Sequence, residues 1–145
     1  MPIVLLAVAA VMFGLYNVFI KLSADYIQAI LGAVVLQFVA AFLGLGLLLY
    51  MKYAADLQIS ATPRGVSLAV LAGVAIGLVE ILTFVIYGRG VPVAVGNPLI
   101  IGGSLVVTTG IGVAILREAL SPVQLVAVLM VTAGIGLLAW EAMRS

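Results

Sequence analysis

The sequence contains no cysteine and no histidine. Disulfide frameworks, thiolate chemistry, imidazole acid–base catalysis and the usual zinc and haem ligands are thereby excluded, and no metal site or cofactor is expected. Charge is nearly as scarce. Asp, Glu, Lys and Arg make up 8% of the residues, against about 25% in an ordinary soluble domain. The six Lys/Arg residues are scattered and nearly cancelled by five Asp/Glu, so no nucleic-acid partner is expected. What is present is apolar: 66% of the 145 residues are hydrophobic and mean hydropathy is +1.44. That excludes a disordered chain or a coiled coil and predicts an all-α integral membrane protein. Its expected place is the cell (inner or plasma) membrane, with the lipid bilayer as a partner.

A bilayer's hydrocarbon core takes about 20 apolar helical residues to cross. The charges divide the chain into five stretches of that order, 3–20, 27–51, 66–87, 91–116 and 122–140. Together they predict a single five-helix transmembrane domain over 1–145. Helix-start chemistry supports the boundaries, because the orphan N–H groups of a first turn take a side-chain acceptor or are removed by proline. Asp25 with Gln28 has capping-box spacing before the second span, Thr62-Pro63 precedes the third, and Ser121-Pro122-Val123-Gln124 combines cap, proline and capping-box glutamine before the fifth. Gly88-Arg89-Gly90-Val91-Pro92 reads as a tight turn that makes a hairpin of spans three and four. The first span lacks a basic n-region and its apolar run exceeds a typical signal peptide's, so it is expected to be a retained helix. The loop 52–64 is too short for a soluble domain.

Five spans place the termini on opposite faces. Face A, with the N-terminus and the second and fourth loops, carries Lys52, Arg64 and Arg117; face B carries Lys21, Arg89 and Arg144. At three against three, positive-inside bias is missing, so the chain is expected to insert both ways and opposite copies to pair as an inverted homodimer.

Two segments carry a resemblance. The run Gly14-Leu15-Tyr16-Asn17-Val18-Phe19-Ile20-Lys21 resembles the first-helix motif of the drug/metabolite transporter superfamily, in its EamA-type five-helix half. Arg117-Glu118-Ala119-Leu120-Ser121-Pro122-Val123-Gln124, with the apolar run through Gly134, is similar to that family's glutamate, short turn and glycine-bearing last helix. Phe13 stands where the family usually has tryptophan, and Ala127 where a glycine is often found. The resemblance spans essentially the whole chain. It implies one half of an inverted-repeat transporter, completed by a second chain, with a small organic solute as cargo.

Glu80 is the one ionisable residue well inside a span, where a charged acid costs about 3 kcal/mol on insertion scales. Ala69, Gly73, Gly77, Glu80, Thr83 and Tyr87 follow spacings of three and four and share a stripe, expected to face protein or a cavity. Asn97-Pro98 lies about as far after the turn as Glu80 lies before it. Pro98 frees the carbonyl of Val93 or Ala94, and Ser104, Thr108 and Gly112 continue a small and polar face. Glu80, Asn17, Asn97, Tyr16 and Ser104 are therefore the expected proton- or substrate-binding residues. Gly14, Gly73, Gly77, Pro98 and Thr108 are expected to line the cavity or pack helices. Gln37 reads as packing glue, Lys21 as a snorkelling anchor, Glu118 as part of its turn, and Trp140 and the tyrosines at span ends as interfacial anchors. For Glu80 the structural alternative is a protonated side chain bonded to a neighbouring backbone carbonyl.

The expected function is a small-solute transporter, not an enzyme, working as an antiparallel homodimer with proton exchange through Glu80. A cavity with an acid and no matching cation favours cationic or neutral amphipathic solutes over phosphates. The alternatives are an obligate subunit of a heteromeric transporter with a homologous five-helix partner, and a non-transporting membrane assembly protein.

Overall fold

A computed structural model describes residues 2–55 and 58–144. The described chain forms helices α1 (Pro2–Ala24), α2 (Ala29–Ala54), α3 (Pro63–Gly88), α4 (Val93–Ala114) and α5 (Pro122–Ala142). Each is long and apolar enough to cross a membrane. The shortest, α5 at 21 residues, spans about 30 Å at 1.5 Å per residue, the thickness of the hydrocarbon core. Within the loop 52–64, Asp56 and Leu57 lie outside the described residues.

The helix ends follow local chemistry more than hydropathy. α3 starts at Pro63, three residues before the apolar run, because Thr62 caps it: its Oγ1 accepts from the Gly65 N–H at 3.1 Å. α5 opens on a full capping box, with Gln124 N–H donating to Ser121 Oγ at 3.2 Å and Ser121 N–H donating to Gln124 Oε1 at 2.8 Å. The capping box expected from Asp25 and Gln28 is not formed. Gln28 is itself the N-cap of α2, extended and without a side-chain bond. The chain leaves α1 through a turn closed by Tyr26 N–H and the Ser23 carbonyl at 2.9 Å, which places Asp25 before the cap. At 88–92, Gly90 takes the left-handed conformation, φ 91°, and Pro92 becomes the N-cap of α4. Helix α4 therefore begins at Val93 rather than 91.

Contacts divide the chain into two compact units, Met1–Gly90 and Val91–Ser145. In the first, α3 packs on both α1 and α2, and those two touch each other less. Its buried residues are Asn17 and Ile20 on α1, Gly32 and Ala33 on α2, and Glu80, Thr83, Phe84 and Tyr87 on α3. The alternating direction of the helices puts all of these toward face B. Residues 3–13, 38–54 and 63–76, toward face A, are exposed throughout. The closest approach lies between α2 and α3: a Cβ on Gly32 would sit 2.5 Å from Phe84 Cε1, so that contact requires glycine.

The second unit is the α4–α5 pair. Here Gly102 admits Ile135, whose Cδ1 occupies the space a Cβ would need. Pro98 lies inside α4 without ending it; in the second turn it removes a single donor. After α4, the Ile111 carbonyl accepts from Ile115 and Leu116 N–H, and the Gly112 carbonyl accepts from Glu118 N–H at 2.9 Å. The turn needs a left-handed residue, and Arg117 supplies it at φ 58°. The Glu118 carboxylate folds back over Gly112, where a Cβ would lie 2.8 Å from Oε2.

Candidate functional site

Polar side chains in the first unit join α1 to α3. Asn17, Ile20 and Lys21 recur at helical spacing and bring one face of α1 against the last two turns of α3. Tyr16, one position away, flanks that face. The Tyr16 hydroxyl donates to Glu80 Oε2. The Tyr87 hydroxyl donates to Asn17 Oδ1 at 3.3 Å, while Asn17 Nδ2 donates to the Phe13 carbonyl at 2.9 Å. Lys21 Nζ donates to the Tyr87 carbonyl at 2.8 Å, placing a cation at the carbonyl-rich end of α3, where the helix dipole favours it. Thr83, between Glu80 and Tyr87, donates to the Val79 carbonyl of its own helix at 2.7 Å and does not compete for the carboxyl.

Glu80 is 4% exposed and Asn17 3%. Among the described residues Tyr16 is the hydrogen-bond partner of Glu80, and no cationic side chain pairs with it. The structural alternative, a bond from Glu80 to a backbone carbonyl, is thus not what forms; a side-chain hydroxyl points at the acid instead. Chemically the carboxyl can hold or release one proton while Tyr16 steadies one of its oxygens. The Tyr16 ring stacks on Phe13, with centroids 5.4 Å apart. Its other side lines an apolar groove of about 510 Å³ between α1 and α2, walled also by Leu15, Phe19, Val35 and Phe84.

Tyr16, Asn17 and Glu80 are therefore brought together. On the stripe that carries Glu80, Gly77 meets the Gln37 side chain, with a Cβ position 3.5 Å from Nε2, whereas Gly73 has nothing within 4 Å. Gly14 likewise has no such neighbour. The remaining expected residues belong to α4 in the second unit. Asn97 Oδ1 is buried there and, among the described residues, has no hydrogen-bond partner. Ser104 and Thr108 are exposed, and their hydroxyls bond back to the Ile101 and Ser104 carbonyls at 2.7 and 2.8 Å.

Two expectations met at Tyr87, an interfacial anchor as a tyrosine at a span end and a member of the stripe that faces protein; it is fully buried and holds Asn17, as the stripe has it. Lys21 is half-buried and ties the ends of α1 and α3 together rather than reaching freely to the surface. The signal for Tyr87 was its place on the Glu80 stripe, four residues after Thr83. Compared with models of protein families, with curated proteins and with solved structures, the chain matches none.

Proposed function

We propose that this protein is a small-solute membrane transporter, working as an antiparallel homodimer in which Glu80 exchanges a proton for solute. The observation that carries this reading is the carboxyl itself: buried on a helix long and apolar enough to cross a membrane, it meets a hydroxyl and, among the described residues, no cation. An acid at that depth is expensive unless it has work to do, and acids so placed commonly carry protons or contact solute. The balanced Lys/Arg count, three on each face, supports pairing of opposite copies, as does the resemblance of the first and last helices to one half of an inverted-repeat transporter. Alternating access would then be rocking of one copy against the other around the paired acids.

The test is Glu80→Gln. The amide oxygen still accepts from Tyr16, so fold and dimer should survive. In proteoliposomes carrying an internal pH dye and challenged with a panel of small amines, amino acids and neutral amphipathic solutes, the wild type should show solute-driven proton movement. The variant should lose at least about tenfold of it, the upper range of a lost acid–base step being larger still. A folded, dimeric Glu80→Gln protein with wild-type proton movement would overturn the reading.

A further inference from the structure

Gln37 is the polar side chain that the Glu80 ladder leaves unused. It stands on α2, eight residues from Ala29, as Glu80 stands eight residues from Gly88 at the end of α3. Both lie about 12 Å from the face-B end of their helices at 1.5 Å per residue. The Gln37 amide lies against Gly77, on the Glu80 stripe and three residues, or about 4.5 Å along the axis, from the acid. It is exposed, and among the described residues its two donors and its acceptor make no hydrogen bond.

That combination limits what the amide can face. In hydrocarbon an unsatisfied amide costs several kcal/mol, so lipid is excluded as its steady neighbour. Packing glue would be bonded to a helix of its own unit, and Gln37 is not. We propose that Gln37 is a second solute-binding residue of the Glu80 site, its amide taking a neutral polar group of the solute while Glu80 handles the proton. The inference rests on the transporter reading and narrows its cargo to a solute that carries a neutral polar group beside the group that meets Glu80. A Cβ at Gly77 would meet the amide at ordinary van der Waals distance, 3.5 Å from Nε2, so the amide lies directly on the stripe that carries Glu80.

The absence of cysteine makes accessibility readable one position at a time. Gln37→Cys, Phe38→Cys and Ala54→Cys would each be treated, in lipid nanodiscs that open both faces, with a cationic (trimethylammonium) and an anionic (sulfonate) ethyl methanethiosulfonate. At about pH 9 a thiol reached by water is largely thiolate; it attacks the reagent's sulfenyl sulfur, forms a mixed disulfide and releases methanesulfinate. Phe38, exposed on the apolar face of α2, serves as the lipid-facing control, and Ala54 as the aqueous one. The expected result is labelling at 37 within about tenfold of that at 54, with a cationic-to-anionic rate ratio at least about tenfold above the ratio that the thiolate itself gives at 54. Adding Glu80→Gln should abolish that preference. Labelling at 37 no faster than at 38 overturns the proposal by showing Gln37 covered by lipid or by a second copy. Labelling without a Glu80-dependent charge preference overturns it too, since the two residues then do not share a cavity. Because no flux enters the readout, failure at Gln37 with Glu80-dependent proton movement intact removes only this role. Proton movement indifferent to Glu80→Gln removes the exchange reading itself.

Discussion

A tyrosine near the end of a membrane span has two physical uses: its ring can sit among headgroups with the hydroxyl in water, or the whole side chain can be buried if a partner meets the hydroxyl. Hydropathy is the same in either case. Tyr26 is 92% exposed, which leaves the first use open to it, while Tyr87 is buried and follows the second, because Asn17 on α1 offers a carbonyl oxygen at 3.3 Å. Removing the Tyr87 hydroxyl leaves that buried oxygen without a donor. Tyr87→Phe should therefore cost about 1 kcal/mol, while Tyr26→Phe should stay within about 0.5 kcal/mol; unfolding in mixed detergent–SDS micelles compares the two. Equal stabilities would mean that the Asn17–Tyr87 bond contributes nothing. The helical face of Glu80 was legible in the sequence, because small residues and Thr83 recur at its spacing. Its pairing with Tyr16 was only one of several possibilities, and the partner that Tyr87 meets on α1 was hidden, since both depend on how α1 rotates against α3. Periodicity alone does not set that rotation.

At the scale of the helix, sequence signals worked where the cap and the N–H that donates to it belong to one rigid turn. Thr62-Pro63 and Ser121-Pro122 fix the backbone just before the helix, so the hydroxyl meets the orphan N–H groups as their spacing predicts. Asp25 and Gln28 have the same spacing but no proline between them. The short turn from Ser23 to Tyr26 takes up the residues that a cap would need, and the helix starts after Gln28. The two sites should therefore respond differently to the same truncation. Ser121→Ala should destabilise by about 1 kcal/mol, and Asp25→Ala by less than about 0.5 kcal/mol, read by thermal unfolding of the purified protein in one detergent. A cost at Asp25 equal to that at Ser121 would mean that the carboxylate caps α2 in solution after all.

For the molecule as a whole, the proposed antiparallel pairing turns on a small difference between charges rather than on any contact. Lys52, Arg64 and Arg117 oppose Lys21, Arg89 and Arg144, so removing one charge should tip the orientation. Arg64 and Arg89 suit this test because both side chains are exposed at the ends of α3. Arg64 also lies in the first turn of α3, where a cation opposes the helix dipole, so its loss does not weaken the helix. Ala54→Cys reports face A, and a membrane-impermeant thiol reagent applied to intact cells should label roughly half of the molecules when insertion is balanced. With Arg64→Ser, face A carries two charges against three, face B should turn to the cytoplasm, and labelling should rise toward completion. With Arg89→Ser the imbalance reverses and labelling should fall toward none. Opposite shifts from a half-labelled start are what an antiparallel homodimer requires. A fixed fraction, unmoved by either change, would mean that helix order or a partner protein sets the orientation, and the inverted pair would then need a second, different chain.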